Sequence, residues 1–387
     1  MKRLFLPLML FAMDRVLAGG TRRDVALLAS AFVLQALCSN YLLVFAAFTL
    51  MAAAAARPGE WLGAGRGPVV RHLAVAAVAS VALVAPFLWP YYVVSRDQGL
   101  SRSIEEVARY SADWRDYLAT GGRLHYAWWS HRFFEGRTAL FPGIAGLALA
   151  LVALGSGVAV RDRRARMLLA AGVMGVALSL GPALPGYGWL HEHVPLLSGL
   201  RGAARWGWLA LTAVAVLAGF GVAVLERRWG RRRLWPVAVA VLALVITAEA
   251  LRAPVGFTEF RGIPRIYDRL AAEPPVVLAE FPFYWGPRFA ENGPYLVNNT
   301  RYLQPLVNGY SGFQPAAYEA RGQRLSGFPD ESAMTELQTL GVTHVTVHVA
   351  PFRDRAGDEA LAAVGGSPLL ELVAEADGIR LYRMRRP

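Results

Sequence analysis

Five charged residues in two polar loops carry the side-chain chemistry needed to bind an anionic ligand. An arginine guanidinium presents parallel N–H donors that match the oxygen atoms of a phosphate or a diphosphate. The first of these loops, residues 96–137, also supplies acids that are candidates for catalysis. We therefore expect substrate-binding roles for Arg102, Arg109, Asp113, Arg201 and Arg205.

The same charges have a purely structural alternative. Residues 102–118 carry apolar side chains at a roughly helical spacing, which predicts an amphipathic helix lying on a membrane surface. On such a helix Glu105 and Arg109 are one turn apart, and they would pair as a scaffold contact. Both interpretations stay open at the level of the sequence.

A second candidate lies in the last third of the chain, where turn formers alternate with aromatic residues in PLVNGYSGFQP (305–315). The dipeptides NG and SG favour tight turns, which would present the aromatic rings to the membrane part or to the face of a sugar. Asn308 and Tyr310 therefore join the candidate substrate-binding residues. The alternative is a rigid loop that serves packing only.

The histidines and the cysteine do not indicate a metal centre. Zinc needs three or four converging ligands, and the run His191–His193 has no partner cluster in the sequence. His344 and His348 lie in a strand-like alternation, where four residues span about 13 Å, so we predict them on an exposed strand face. Cys38 is the only cysteine, which excludes an intramolecular disulfide. We expect no metal and no cofactor.

Hydrophobicity determines the class of protein. Of the 387 residues, 55% are hydrophobic, compared with about 45–50% in soluble domains. The excess lies in residues 1–251, whereas 252–387 has the composition of a globular domain. A membrane helix needs about 20 apolar residues, with about 17 as a lower limit. We predict about eight transmembrane segments from apolar runs at 3–17, 24–38, 41–56, 70–94, 140–159, 167–184, 206–226 and 234–251.

The net charge of +12 lies in this membrane part. Residues 1–251 hold 26 basic and 13 acidic residues, whereas 252–387 holds 14 and 15. Short cytoplasmic loops of membrane proteins are rich in Lys and Arg, so the excess is an orientation signal. A strongly basic chain can also indicate a nucleic-acid binder. Because the orientation signal explains the excess, we expect no nucleic-acid partner.

Residues 24–56 decide the predicted topology, because they form either one long helix or a hairpin that turns at Ser39-Asn40. The hairpin puts all four arginine-rich loops on one side of the membrane, whereas a single helix would separate the first loop from the others. We therefore predict the hairpin, an extracytoplasmic C-terminal domain and a location in the cytoplasmic (inner) membrane. The arginine-rich loops lie at 15–23, 57–71, 161–166 and 227–233.

Residues 252–387 predict an α/β domain of ordinary size. Strands are expected at 275–281 and 343–349, and 369–384 reads as a hairpin that turns at Asp377-Gly378. Asp330 is predicted to be a helix N-cap. Helices are expected at 264–272, 315–325, 331–340 and 357–364.

The apolar runs contain almost no ionisable residue, and Asp14 and Glu249 lie near run ends, where we expect solvent or headgroups to reach them. Ion-coupled transporters need carboxylates or histidines near the middle of the membrane. The sequence therefore argues against a transporter and places any chemistry at the extracytoplasmic surface.

Five stretches carry a resemblance to known proteins: RSIEEVARYSADWRDYL (102–118), LFPG (140–143), LLSGLRGAARWGW (196–208), VNGYSGFQP (307–315) and LQTLGVTHVTV (337–347). Together they resemble a broad group of bacterial polytopic proteins with a GT-C-like or YfhO-like architecture. The resemblance implies a glycosyltransferase whose donor is a polyprenyl-phosphate-linked sugar. In GT-C enzymes the catalytic acid lies just after the first transmembrane helix, and this sequence has no counterpart of that loop. We therefore expect Met1 to fall partway through such a protein, and the catalytic residue stays unassigned.

The leading hypothesis is the C-terminal portion of a GT-C-like membrane glycosyltransferase. It would transfer sugar from a polyprenyl-phosphate donor at the outer face of the membrane, with inversion. The alternative is a non-catalytic membrane protein that assists assembly or export of cell-surface polysaccharide. The expected partners are membrane lipid and the lipid-linked donor.

Overall fold

A computed structural model describes residues 5–99, 101–134, 138–252, 255–257, 259–272, 275–352 and 355–385. The chain divides into two compact units, Met1–Gly256 and Phe257–Pro387. The predicted domain boundary at 251/252 lies five residues before this division. The first unit is helical, and the second combines helices with a small mixed sheet.

Each of the eight apolar runs contains a helix, and short helices fill the loops between them. The helices of the first unit are α1 Phe5–Leu17, α2 Arg22–Cys38, α3 Asn40–Ala55, α4 Gly67–Asp97, α5 Ile104–Arg109, α6 Arg123–Trp128, α7 Ile144–Gly155, α8 Val158–Arg161, α9 Arg163–Ser179, α10 Tyr187–His193, α11 Pro195–Ser198, α12 Gly207–Trp229 and α13 Trp235–Ala250.

Two stretches of the described chain are long and apolar enough to cross a membrane, Gly67–Asp97 and Ala203–Trp229. The first is α4, and the second is α12 with the turn that precedes it. Shorter apolar helices are Asn40–Ala55, Ile144–Gly155 and Trp235–Ala250. The structure therefore supports a membrane protein at this coarser level, and the count of eight crossings stays a prediction.

The hairpin at Ser39 is confirmed, because α2 ends at Cys38 and α3 begins at Asn40. Ser39 has an extended backbone, with φ −178° and ψ 140°, which breaks the helix and reverses the chain. We call this end of the first unit the Ser39 end. The opposite end, where α3 gives way to Arg57, is called the Arg57 end.

An ion-pair network joins the helix termini at the Arg57 end. The buried Arg57 guanidinium donates to Asp14 at 2.5 Å and also bonds to Glu60. Arg164 donates to the second oxygen of Asp14 at 2.8 Å, and Arg163 lies 3.4 Å from Glu60. The network brings the end of α1, the loop after α3 and the start of α9 together, which agrees with the prediction for the arginine-rich loops at 57–71 and 161–166.

Asp14 and Glu249 keep 13% and 11% of their side chains exposed, and both also make specific contacts inside the unit. Asp14 is held in the network just described, and Glu249 lies at the start of α7. The Glu249 carboxylate accepts hydrogen bonds from the backbone N–H groups of Ile144 and Ala145, both at 3.1 Å. His125 Nε2 lies 3.2 Å from the same carboxylate. An acid at a helix N-terminus satisfies free N–H groups there and interacts well with the helix dipole, so Glu249 serves to join α13 to α7.

The second unit contains a four-stranded sheet in the order β1-β2-β4-β3. Its strands are β1 Leu278–Phe281, β2 His344–His348, β3 Leu370–Ala376 and β4 Ile379–Met384. β1 and β2 are parallel, whereas β4 runs antiparallel to both β2 and β3. Asp377 and Gly378 at the β3–β4 turn have φ of 54° and 72°, which confirms the predicted hairpin turn.

Helices cover the sheet, and they match the predicted ones apart from α15. They are α14 Tyr267–Ala272, α15 Gly293–Asn299, α16 Ala316–Leu325, α17 Glu331–Thr339 and α18 Arg355–Gly366. Asp330 caps α17 by accepting from the backbone N–H of Ala333 at 2.8 Å, as predicted. β2 is a central strand buried on both faces. The prediction of exposed histidines is therefore wrong for His344, which is buried, and His348 is only partly exposed.

Candidate anion-binding site

Two loops meet at the Ser39 end through backbone hydrogen bonds. Arg102 N–H donates to the Ser198 carbonyl at 3.1 Å, and Ala204 N–H donates to the Tyr110 carbonyl at 3.0 Å. The segment around α5 is therefore fixed against the segment that leads into α12. This contact brings the predicted arginines of both loops to the same end of the helical unit.

Arg201 is held by two tyrosines from different parts of the chain. Its guanidinium carbon lies 4.7 Å from the centre of the Tyr110 ring. Its backbone N–H donates to the Tyr41 hydroxyl at 3.0 Å, and Gly202 N–H donates to the same hydroxyl at 3.1 Å. A cation over an aromatic face is attracted by the ring quadrupole, so Tyr110 restricts the guanidinium while its N–H edges stay available.

Arg205 uses the other tyrosine of this pair. Its guanidinium carbon lies 4.5 Å from the centre of the Tyr41 ring, and the residue is exposed. Tyr41 therefore contacts Arg201 through its hydroxyl and Arg205 through its ring face. Within the described ranges, neither Arg201 nor Arg205 forms an ion pair with a carboxylate. Neither guanidinium group is therefore neutralised by a carboxylate of the described chain.

Arg102 and Arg109 differ from these two arginines. Arg102 Nη1 lies 3.0 Å from Glu106 in an i,i+4 ion pair, and its carbonyl accepts from His191 Nε2 at 3.0 Å. Arg109 is exposed in the last turn of α5. The scaffold alternative is therefore correct for Arg102, although the partners are Arg102 and Glu106 rather than the predicted Glu105–Arg109 pair.

The predicted helix over 102–118 is wrong in length. α5 covers only Ile104–Arg109 and begins with a serine cap, in which Ser103 accepts from Glu106 N–H at 3.2 Å. The chain then turns, because Asp113 Oδ1 accepts from Arg115 N–H at 2.7 Å and Asp116 N–H at 3.3 Å. Aspartate favours such local bonds over a helix interior, so the turn overrides the helical spacing.

A cavity of about 250 Å³ lies beside this turn. Asp113, which the sequence singled out, contributes to its wall. The cavity combines two carboxylates, a guanidinium, a hydroxyl and an aromatic ring, which suits a ligand with several hydroxyl groups. Its lining is Ala108, Ser111, Ala112, Asp113, Arg115, Asp116, Phe133, Leu180, Pro182 and Ala183.

Asn308 and Tyr310 belong to the second unit, and they differ in role. Asn308 is buried, and its amide group brackets the backbone of Glu280 by donating to the carbonyl at 2.9 Å and accepting from the N–H at 2.7 Å. Tyr310 is half exposed and packs against Phe289 with ring centres 5.6 Å apart. Asn308 therefore has the packing role that the alternative for this loop predicted. Half of the Tyr310 side chain stays exposed.

Sequence reasoning missed a buried polar cluster in the second unit. Glu280 Oε2 accepts from the Tyr267 hydroxyl at 2.6 Å and lies 2.7 Å from His348 Nε2. Asn298 Nδ2 donates to the Tyr267 hydroxyl at 3.0 Å. The one signal in the sequence is a glutamate inside the apolar strand VVLAEF, since a buried carboxylate needs partners. Burial, together with the nearby Glu280 charge, raises the pKa of Tyr267 well above its ordinary range.

The run His191–His193 does not converge on one point. His191 is buried and bonds to the Arg102 carbonyl, whereas His193 Nδ1 bonds to the Trp189 carbonyl at 2.9 Å and its ring stacks on Trp189. Among the residues that the structure describes, no group of three or more His, Cys, Asp or Glu could hold a metal ion. His191 is therefore a buried residue that joins α10 to the loop before α5.

No protein-family model matches this chain, and no curated protein matches it either.

Proposed function

We propose that this protein is a GT-C-like membrane glycosyltransferase whose donor is a polyprenyl-phosphate-linked sugar. In this proposal Arg201 and Arg205 bind the donor phosphate. The observation that carries it is the contrast between the two ends of the helical unit. At the Arg57 end, arginines pair with Asp14 and Glu60. At the Ser39 end, Arg201 and Arg205 lie over tyrosine rings, without a carboxylate partner in the described part of the chain.

Two neighbouring arginines without carboxylate partners repel each other, and holding their side chains in place costs conformational entropy. An anionic ligand would offset both costs. An arginine without a protein partner keeps its planar N–H fork for an external anion, and a phosphate satisfies that fork in bidentate fashion. The tyrosines hold the guanidinium groups before a ligand arrives, which reduces the ordering cost of binding. Arg109, exposed in the loop that contacts Arg201 through Tyr110, is a third donor in this proposal.

The cavity beside Asp113 would receive the sugar. In an inverting transfer, a carboxylate removes the proton of the acceptor hydroxyl while that oxygen bonds to the sugar carbon and the lipid phosphate departs. Asp113 and Asp116 are the carboxylates of this cavity. Negative charge develops on the phosphate as it departs, and the arginines would stabilise that charge.

One observation favours the non-catalytic alternative, a membrane protein that binds the lipid-linked sugar and assists polysaccharide assembly or export. Asp113 Oδ1 and Asp116 Oδ2 both accept backbone hydrogen bonds within their own turn. These bonds hold the carboxylate oxygens in the local turn rather than leaving them for an acceptor hydroxyl. This alternative shares the arginine site with the enzyme and differs only in turnover.

The test is donor binding by the purified protein in lipid nanodiscs. A polyprenyl-phosphate sugar is titrated against the unmodified chain and against R201A, R205A and R228A. Arg228 is the matched control, since it is exposed and lies 5.9 Å over the Trp229 ring in the last turn of α12. We expect about tenfold to hundredfold weaker binding for R201A and for R205A, because a charged hydrogen bond is worth about 1.5–3 kcal/mol.

R228A should bind like the unmodified chain. Equal binding by all four proteins would refute the arginine site. Turnover with an alcohol acceptor separates the two proposals: sugar transfer that D113N or D116N abolishes supports the enzyme, whereas tight binding without transfer supports the export role.

A further inference from the structure

An apolar groove runs along the helical unit and ends at the ion-pair network of the Arg57 end. Its volume is about 340 Å³, and almost all of its wall is apolar. α1 and α12 supply most of the lining, and the first turns of α9 close one end. The lining residues are Leu6, Pro7, Leu10, Phe11, Asp14, Arg164, Met167, Leu168, Thr212, Val216 and Phe220.

The groove follows the helix axes. On α1, Leu6, Leu10 and Asp14 repeat every four residues, so one helix face lines the groove over about 12 Å at ~1.5 Å per residue. On α12, Thr212, Val216 and Phe220 repeat in the same way. Such a narrow apolar channel, parallel to the helices, has the shape of an extended hydrocarbon chain. Part of its rim is open, since 46% of Phe11 and 39% of Val216 is exposed.

The charged end of the groove carries a positive excess. Asp14 and Glu60 are the acids of the network, and they face Arg57, Arg163 and Arg164. Arg57 is fully buried, whereas 64% of the Arg163 side chain and 66% of the Arg164 side chain is exposed. The two exposed guanidinium groups therefore have N–H donors directed to the surroundings as well as to Asp14 and Glu60.

We propose that this groove binds an anionic phospholipid of the surrounding bilayer. One acyl chain lies between α1 and α12, and the phosphate contacts Arg163 and Arg164. Basic pockets between membrane helices select anionic headgroups, and each guanidinium near a phosphate adds a charge-assisted hydrogen bond. The bound lipid seals the seam between α1 and α12. The site lies at the end opposite to Arg201 and Arg205, so it does not depend on the proposed function.

Charge complementarity makes a lipid a better occupant than a second copy of this chain. Another copy would bring its own arginine-rich end into the same layer, and like charges would repel. An anionic phospholipid supplies both the apolar chain and the negative charge.

The experiment is native mass spectrometry of the delipidated full chain, titrated with phosphatidylglycerol or phosphatidylcholine of equal chain length. We expect one phosphatidylglycerol to be retained at least tenfold more strongly than phosphatidylcholine. R163A and R164A should each reduce this preference about threefold to tenfold, and the control R228A should leave it unchanged. R163A is the safer variant for folding, because Glu60 keeps its bond to Arg57.

A second pair of variants tests the groove itself. V216W narrows the rim and should abolish specific lipid retention, whereas V241W on the exposed face of α13 should have no effect. Equal retention of both lipids, or a preference that R163A, R164A and V216W all leave intact, would overturn the proposal. A dimer that forms in place of lipid binding would overturn it as well.

Discussion

Glu280 Oε2 lies 2.7 Å from His348 Nε2, at the carboxyl ends of two parallel strands. The Glu280 side chain is completely buried, and the Tyr267 hydroxyl donates to the same oxygen. Tyr295 covers the His348 ring with ring centres 4.8 Å apart. One carboxylate therefore joins β1, β2 and α14, which makes Glu280 the central polar residue of the second unit.

Replacement of Glu280 by alanine should destabilise the second unit by about 3 kcal/mol, because it removes the acceptor that the buried Tyr267 hydroxyl and the partly exposed His348 share. Glu280→Gln should cost less, since the amide still accepts from Tyr267. Hydrogen exchange of the β1 and β2 amides in the full chain measures the loss. Glu375→Ala is the control, since Glu375 pairs with Arg380 at the surface and should cost less than about 0.5 kcal/mol. Equal protection in E280A and E375A would contradict the role assigned to Glu280.

Glu336 should make the contact between α16 and α17 sensitive to acid. Its hydrogen bonds from Arg324, at 2.7 Å and 3.1 Å, lower the pKa of Glu336 below its ordinary value. A lowered pKa adds stability above the unfolded pKa of about 4.3, and this stability disappears as the pH falls through the folded pKa. Protection of the α16 and α17 amides should therefore decline below about pH 4.5. Glu336→Gln should be less stable at pH 7 and should lose this pH dependence.

Replacement of Arg57 by alanine should cost about 3–5 kcal/mol, because it leaves Asp14 and Glu60 without their buried partner. Thermal unfolding of the full chain in detergent measures this change. Arg15→Ala is the comparison, since Arg15 pairs with Asp24 while half of its side chain stays exposed. A melting temperature that falls as much for R15A as for R57A would show that burial does not decide the strength of these pairs.

Gly221 permits the close contact between α7 and α12. A Cβ atom at this position would lie 2.0 Å from the Leu149 carbonyl oxygen, so even alanine forces the two helices apart. Close approach of backbones through small residues is a main source of helix association in membranes. Gly221→Ala should therefore lower the melting temperature in detergent. Gly219→Ala, two residues earlier with open space around its Cβ, should leave it unchanged or raise it slightly.

Much of the secondary structure follows from local patterns. The break at Ser39, the cap at Asp330 and the turn at Asp377-Gly378 were all predictable, because each depends on residues within a few positions along the chain. The helix over 102–118 was not, because Asp113 stabilises a competing turn. α15 was missed because its residues, GPYLVNN, include a proline and two asparagines with low helix propensity.

The pairing of the arginines in the candidate site could not be predicted from the sequence. Arg102, Arg201 and Arg205 were indistinguishable by residue type, yet Arg102 pairs with Glu106 while the other two lie over tyrosines. Nothing in the sequence indicated that Tyr41 and Tyr110 contact these arginines. The tyrosines are about 160 and 90 residues away from Arg201 along the chain. Contacts over such separations depend on how the helices pack.

The sequence by itself determined the division into an apolar part and a globular part, and the placement of arginines in short loops between the apolar runs. Both follow from composition and from the order of helices along the chain. Only the tertiary structure decided which charges are paired. Whether an arginine is a scaffold residue or a free donor depends on the residue that packing brings within about 3 Å, and local sequence does not encode that distance.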